Sequence, residues 1–327
     1  MKIFLTFDYE LFFGKKSGTA EKCIIEPTQK LIEIAERHGV KITFFIDCGY
    51  LRALKKYSDS YPVLKKEYEL VTNQIKLLVE LGHACELHIH PHWEDSSYNG
   101  NEWLFDTRRY KLSNFSEHDI LNIFKSYKNI LEEITNKPTV VYRAGGWCLQ
   151  PFSKIQKSFF ETGIKIDSTV YKNGYLDSDT HFYDFRSAPD KDSWRFTEDL
   201  CVEEVKGKYI EVPISSYNYS PFFFWKLYGL GRLFRSFHKA LGDGVPIIAK
   251  GTKKKYLTSS HVLPISSDGY FASTLSSALN QLEVNGKTYM VIIGHPKACT
   301  KYSLVTLDKF IEKEKSRNIF STLSSLL

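Results

Sequence analysis

Short apolar runs alternate along the first half of the chain with longer stretches in which apolar residues recur every three or four positions. The apolar runs predict buried strands, and the longer amphipathic stretches predict helices. Strands that alternate with helices form a parallel sheet with the helices outside it, so the pattern predicts the α/β class. The predicted strands are residues 3–7, 41–46, 84–88, 139–142, 164–166 and 288–293, and the predicted helices are residues 27–37, 64–81, 116–134 and 151–162.

The pattern changes between residues 175 and 286, where the apolar stretches become shorter. Alternating polar and apolar residues at 200–205 and 208–212 predict a β-hairpin with its turn near Lys206 and Gly207. We interpret residues 175–286 as a partly β segment, inserted before the last strand of a single domain that spans residues 1–327. Because loops often carry specificity, we expect this insertion to cap or flank the functional site.

The composition and net charge of the chain limit the kinds of protein that it can be. The chain has 327 residues, of which 43% are hydrophobic and 25% charged, as in an ordinary globular protein. Its net charge of +6 is too mild to predict a nucleic-acid partner. The six cysteines are scattered without a C-x-x-C pair, which favours a reducing compartment. With neither a signal peptide nor a run of about 18 apolar residues, we expect a cytoplasmic protein.

Polar and ionisable residues follow most of the predicted strands. Parallel strands of a barrel end at the same rim, so these residues are expected to gather in one site. Three histidines at alternating positions are the strongest signal, because neutral imidazole is a common zinc ligand. Polar residues are also frequent in loops after any strand, so each one alone would be weak evidence. The residues concerned are Asp8, Tyr9, Glu10, His88, His90, His92, Arg143, Trp147, Asp167 and His295.

Taken together and in order, these motifs resemble those of the polysaccharide deacetylases of the NodB-homology type (carbohydrate esterase family four). The resemblance implies a distorted, incomplete (β/α) barrel of about seven strands. It covers residues 1–175 and about 285–300. The matching motifs are Thr6-Phe7-Asp8, Thr43-Phe44-Phe45, Gly82-His83 with His88 and His92, Arg143-Ala144-Gly145-Gly146, Asp167-Ser168 and Ile293-Gly294-His295.

Two positions depart from the family pattern. Tyr9 stands where the family carries a second aspartate as a metal ligand, and Ala144 stands where proline is usual. Successive side chains of a strand point to opposite faces, so Glu10 is expected on the same side as Asp8 and can replace the missing ligand. Arg143 is retained in spite of Ala144.

The resemblance implies a hydrolase that uses one divalent metal ion, expected to be Zn²⁺, to remove an N-acyl group from a sugar. Glu10, His88 and His92 would be its metal ligands. Asp8 would be the general base, Arg143 would orient Asp8, and His295 would be the general acid. Further substrate-binding residues would be Tyr9, His90, Trp147 and Asp167, although core packing explains Tyr9 and Trp147 equally well.

The expected substrate is an acetylated or formylated sugar of a surface polysaccharide, or of its lipid-linked or nucleotide-linked precursor. Two alternatives remain: an inactive glycan-binding protein with the same fold, and an amidohydrolase of small cyclic amides. Residues 221–241 combine apolar and basic residues in a pattern typical of amphipathic helices at anionic membranes. We therefore expect a peripheral contact with the inner face of a membrane, the alternative being that this helix packs onto the barrel.

Overall fold

The computed structural model describes residues 1–246 and 252–327 of the chain. The strands in these ranges are short. The strands of the main sheet contain more buried apolar residues than the other strands do. The strands are β1 (Lys2–Tyr9), β2 (Thr43–Asp47), β3 (Ala84–Ile89), β4 (Ser97–Tyr98), β5 (Trp103–Leu104), β6 (Val141–Ala144), β7 (Ile166–Asp167), β8 (Tyr175–Asp177), β9 (Phe182–Asp184), β10 (Trp194–Phe196), β11 (Tyr209–Glu211), β12 (Ser216–Tyr219), β13 (His261–Pro264), β14 (Tyr289–Gly294) and β15 (Ile319–Ser321).

Helices connect most of the parallel strands, and the longer ones bury one face. They are α1 (Glu26–His38), α2 (Cys48–Tyr57), α3 (Pro62–Glu80), α4 (Glu117–Thr135), α5 (Gln156–Thr162), α6 (Pro221–Leu233), α7 (Arg235–His238), α8 (Thr252–Thr258), α9 (Leu275–Val284) and α10 (Lys301–Glu314). Among the helices of the described ranges, we find none with the length and apolar character needed to cross a membrane.

The predicted elements lie close to the observed ones. Each of the six predicted strands is present, with its bounds shifted by a few residues. Helix α1 ends at Gly39, whose φ of 65° is the left-handed conformation that glycine adopts readily. Ser116 caps α4 as predicted, since its side chain accepts a hydrogen bond from the backbone N–H of Asp119. Helix α2 was missed because it follows β2 without an intervening turn signal.

The chain divides into two compact units, residues 1–42 with 214–321 and residues 43–213 with 322–327. In the first unit, β1 pairs in parallel with β14 and with β15. Phe7 lies opposite Gly294 in this register, so Asp8 is the next residue of β1 and His295 is the residue that directly follows β14. The first unit also contains a separate hairpin of β12 and β13.

In the second unit, parallel pairing runs from β2 through β3, β6 and β7 to β11, and β10 closes the series antiparallel to β11. The register places His88 opposite both Asp47 and Arg143. Glu211 lies opposite Asp167. The ends of these strands are aligned, and this alignment brings together the functional residues predicted for this unit.

Only one of the two strands of the predicted hairpin is correct. Its second strand exists as β11, but the partner is β10 (Trp194–Phe196) and not residues 200–205. Residues 200–205 mix apolar and acidic residues but lie in turns and irregular segments, where Trp194 donates its indole N–H to the carbonyl oxygen of Leu200. Strand β11 lies within the predicted insertion yet joins the main sheet. Part of that insertion, residues 247–251, lies outside the described residues.

The predicted fold class is confirmed. Parallel strands and intervening helices make a mixed α/β protein with the sheet of a distorted, incomplete (β/α) barrel. The single-domain boundary at residues 1–327 and the capping role of residues 175–286 stay predictions.

The side chain of Asp47 links α2 to the segment after β3, which suggests a test of stability. Its Oδ1 accepts hydrogen bonds from the N–H groups of Gly49 and Tyr50, and its Oδ2 accepts one from the indole of Trp93 at 2.7 Å. Asp47→Ala should lower the free energy of unfolding by about 2–4 kcal/mol, because a cap is lost and a buried N–H loses its acceptor.

Urea unfolding measures this loss, and Ser116→Ala is the matched control. Ser116 caps a helix at an exposed position, so its removal should cost only about 1 kcal/mol. Equal losses in the two variants would contradict the role of Asp47 as a link between elements.

Candidate active site

Two carboxylates and an imidazole meet at the ends of β1 and β14 in the first unit. Asp8 and Glu10 are each only 5% exposed. The Nε2 atom of His295 lies 3.7 Å from Oδ2 of Asp8 and 3.8 Å from Oε1 of Glu10. Both carboxylates therefore face the same imidazole, as the alternation of side chains along a strand predicts.

Asp268 holds the other side of the His295 ring. It follows a short extended segment, in which Ser267 donates its N–H to the carbonyl oxygen of Ile293 on β14. The Asp268 carboxylate accepts hydrogen bonds from the His295 backbone N–H at 2.8 Å and from Nδ1 at 2.7 Å. The ring is thereby fixed with Nε2 toward Asp8 and Glu10.

These carboxylates change the titration of His295. Burial of the imidazole lowers its pKa, but the charge and hydrogen bond of Asp268, with the charges of Asp8 and Glu10, outweigh burial and raise the pKa to about 9. His295 is therefore protonated at neutral pH and able to donate a proton. This protonation also stabilises the fold below pH about 6.5, and that contribution is lost as pH rises through about 9.

Lys297 is a second cation beside these carboxylates. It lies in the turn after β14, and its Nζ donates to Oε1 of Glu10 at 2.7 Å and to the carbonyl oxygen of Leu11 at 2.6 Å. Its side chain also contacts the rings of Phe12 and Phe13, both 5.0 Å from Nζ. Lys297 therefore fixes one oxygen of Glu10 in place.

In the second unit, His88 and His90 place two ring nitrogens at one point. Both rings are buried, and their Nε2 atoms are 3.1 Å apart. The opposite nitrogens are anchored, since Nδ1 of His88 lies 2.8 Å from the carbonyl oxygen of Arg143 and Nδ1 of His90 lies 3.2 Å from the hydroxyl of Tyr110.

This arrangement suits a metal ion. A carbonyl oxygen can only accept, so His88 donates from Nδ1 and, in its neutral form, keeps a lone pair on Nε2. His90 has the same tautomer when its Nδ1 donates to Tyr110. Two imidazoles whose Nδ1 atoms are anchored and whose Nε2 atoms lie side by side form a typical half of a zinc-like site. The geometry therefore fits two imidazole ligands for one divalent ion.

His92 is packed differently from His88 and His90. It lies in the turn Pro91–Glu94, where its ring stacks between those of Trp93 and Tyr110, at centroid distances of 5.5 and 5.3 Å. The sequence spacing predicts His92 as the second imidazole ligand, and that role stays a prediction. Within the second unit, the nitrogen close to Nε2 of His88 belongs to His90.

The loop after β6 is built around two glycines. A Cβ atom on Gly145 would lie 2.5 Å from Nδ1 of His90, and Gly146 has a φ of 59°. Arg143, which precedes this loop, is fully buried, donates from Nε to the carbonyl oxygen of Ser168 at 2.8 Å and stacks over Phe45. The predicted pairing of Arg143 with Asp8 stays a prediction.

Asp167 belongs to a buried pair of acids. It accepts hydrogen bonds from the hydroxyl and the N–H of Thr169, and it is hydrogen bonded to Glu211. Burial raises the pKa of Glu211 well above its usual range, and the neighbouring charge of Asp167 adds to that effect. The two acids are therefore expected to share a proton, while a substrate contact for Asp167 stays a prediction.

The two predicted aromatic residues differ in exposure. Tyr9 is buried at the end of β1, whereas Trp147 is half-buried. The Trp147 ring lies edge-on to Tyr171 and Tyr183, at 5.4 and 5.8 Å between centroids. A half-buried tryptophan among tyrosines suits stacking against a sugar ring. Substrate contacts of Tyr9 and Trp147 stay predictions.

Sequence reasoning missed four residues of this region. Asp268, Lys297, Tyr110 and Glu211 each contact a predicted site residue. None of them belongs to a motif. Glu211 alone had a usable signal, because it ends a strand as the predicted residues do.

The chain was compared with known proteins. No protein-family model and no curated protein matches it. Among solved structures, it is similar to a Mycobacterium smegmatis protein described as a polysaccharide deacetylase, with 16% identity over 99% of this chain and 88% of that one and a TM-score of 0.57. It is also similar to Puue allantoinase, with 12% identity over 99% and 88% of the two chains and a TM-score of 0.51. The chain thus has the fold of the NodB-type polysaccharide deacetylases of carbohydrate esterase family four.

Proposed function

We propose that this protein is a metal-dependent hydrolase that removes an N-acyl group, acetyl or formyl, from a sugar. The observation that carries this proposal is the His295 ring held between Asp268 and Asp8, with Nε2 directed toward the Asp8 carboxylate. Amide hydrolysis needs a base for the attacking water and an acid for the leaving amine. The deacetylase fold supports the choice of an acylated sugar.

We assign the base to Asp8 and the acid to His295. Asp8 would take a proton from the attacking water, a contribution of about 10²–10⁴ in rate. His295, with a pKa of about 9, would carry its proton at neutral pH and donate it from Nε2 to the leaving nitrogen. Asp268 would keep the ring oriented, and Arg143 would orient Asp8.

The proposed metal ligands are Glu10, His88 and a second imidazole. His90 is favoured for that position because its Nε2 lies 3.1 Å from Nε2 of His88 and both rings are buried. A carboxylate with two imidazoles would complete the set. Such a set is usual for catalytic zinc. The expectation that His92 is the ligand remains as the competing assignment. When bound, the ion polarises the carbonyl and makes water more acidic.

The proposed substrate is a sugar of a surface polysaccharide, or of its lipid-linked or nucleotide-linked precursor, and Tyr9, Trp147, His90 and Asp167 are proposed to shape its pocket. A cytoplasmic location is supported by the six cysteines, which are all free thiols. A second candidate is an amidohydrolase of small cyclic amides, because an allantoinase has the same fold.

Metal analysis tests the ligands. The purified protein should contain about one divalent ion per chain, and His88→Ala and Glu10→Gln should each lose most of it because a ligand is removed. His90→Ala and His92→Ala decide between the two imidazoles, since only the true ligand should be needed. His118→Ala, at an exposed position on α4, is the control. Full occupancy in both His88→Ala and Glu10→Gln would contradict the assignment.

Acyl release tests the reaction. The release of acetate and formate is measured with a panel of N-acyl sugars that are linked to nucleotides or to lipids. Small cyclic amides are tested in parallel. We expect release from at least one sugar, and Asp8→Asn should lower kcat by about 10²–10⁴ while keeping the metal and the fold. Ring opening of a cyclic amide without sugar turnover would establish the second candidate instead.

The pH profile tests the acid. Activity should decline at alkaline pH as His295 loses its proton. Asp268→Asn removes the carboxylate that favours the charged ring, so the alkaline limb of kcat should move to lower pH by roughly one to two units. An alkaline limb at the same pH in wild type and Asp268→Asn would show that another group donates the proton.

A further inference from the structure

The positive charge of the chain is concentrated in one stretch. Residues 214–264 contain eight lysines and arginines and one acidic residue, Asp243, which gives this stretch a net charge of +7. The whole chain has a net charge of +6, so all other residues together carry −1. A basic region of this kind attracts anionic surfaces.

Helix α6, within this stretch, exposes large apolar side chains. Phe222 is 66% exposed, Trp225 60% and Leu233 78%. These residues are three and eight positions apart, so they lie on one face of the helix. The opposite face is buried, where Phe223 and Phe224 pack against Tyr219. Leu227 and Tyr228 pack against the same cluster, and the indole N–H of Trp225 donates to the carbonyl oxygen of Leu257 at 3.2 Å. These contacts leave most of the apolar surface of Phe222, Trp225 and Leu233 exposed.

The predicted single helix over residues 221–241 is interrupted. Phe234 has φ −119° and ψ 51°, so α6 ends at Leu233 and the four-residue α7 begins at Arg235. The break leaves Phe234 58% exposed and Phe237 40% exposed. Exposed apolar side chains thus continue past the end of α6, and Phe237 also lies edge-on to Tyr302 at 5.7 Å between ring centroids.

Cations border the aromatic rings of α6. Nζ of Lys226 lies 4.5 Å from the ring centroid of Phe222, and Nζ of Lys253 lies 4.8 Å from that of Tyr228. Arg232 and Arg235 are exposed beside Leu233 and Phe234. Apolar side chains that penetrate an interface and basic ones that pair with its phosphates are the two features of a helix lying in an anionic membrane surface.

A cavity of about 590 Å³ lies between α6 and Asp268 within the first unit. Leu227, Tyr228 and Arg232 of α6 line one part of it, and Tyr270, Phe271 and Asp268 line another. Asp268 is the residue that holds His295. A membrane bound at α6 would therefore bring a lipid-borne sugar close to this cavity.

We infer that the outer face of α6, with Phe222, Trp225, Leu233 and Phe234, binds the surface of an anionic phospholipid bilayer. Binding itself does not depend on the proposed deacylation; its purpose, delivery of a lipid-linked substrate, rests on that function. The other possible occupant of this face is a second copy of the chain, which the experiment below distinguishes.

The test is sedimentation of the full chain with vesicles of phosphatidylcholine alone or with about one third phosphatidylglycerol. The protein should sediment with the anionic vesicles at low salt and much less with neutral ones. Phe222→Ser with Trp225→Ser should weaken binding at least about tenfold, because two apolar side chains no longer enter the interface. Lys226→Gln with Arg235→Gln should weaken it at least about fivefold.

Matched controls remove similar groups elsewhere. Phe160→Ser removes a 71% exposed aromatic ring on α5, and Lys65→Gln with Lys66→Gln removes two exposed charges on α3. Neither should change vesicle binding. Binding to anionic vesicles that survives both α6 double variants would overturn the inference, as would no binding at low salt. A dimer lost in Phe222→Ser with Trp225→Ser, without vesicle binding, would assign the face to a second copy.

Vesicle binding is measured without substrate, so its failure can be told apart from failure of the proposed deacylation. The latter is read from metal content and from acyl release with nucleotide-linked sugars, which need no membrane.

Discussion

The parallel alignment of neighbouring strands is the constraint on which the candidate site depends. In the first unit, Phe7 lies opposite Gly294, and the residues that follow are Asp8 and His295. In the second unit, His88 lies opposite Arg143. A shift of one residue would turn each side chain to the other face of its strand, so Asp8 would point away from His295. The apolar residues buried along these strands fix the register and thereby fix the positions of the site residues.

Burial of charge is the second constraint, because an ionised group removed from water must be compensated. Asp8, Glu10 and Asp268 bring three negative charges to the end of β1 and β14, while Lys297 and protonated His295 bring two positive ones. The negative charges of these carboxylates raise the pKa of His295, and the positive charge of His295 in turn compensates them. The excess of negative charge at this point of the first unit favours the binding of a cation.

The sequence predicted those parts of the protein that depend on local pattern. Asp8, His88, Arg143 and His295 follow apolar strands in a recognisable order. Asp268 was missed because it enters the site through a bridge to β14 in a loop without a motif. Residues 200–205 were predicted as a strand, but the sheet pairs Trp194–Phe196 instead, since pairing depends on packing that the local sequence does not contain. Helix α6 ends before Phe234 because of the backbone conformation of that residue, which the spacing of apolar residues does not predict.

Two imidazoles and a carboxylate of this chain are proposed to bind one catalytic metal ion. X-ray absorption spectroscopy of the zinc-loaded protein tests this proposal most directly, because imidazole rings give a recognisable multiple-scattering pattern. We predict two imidazole nitrogens, with the remaining ligands oxygen, at about 2.0–2.2 Å. A sulfur ligand at about 2.3 Å, or a shell with fewer than two imidazoles, would contradict the account.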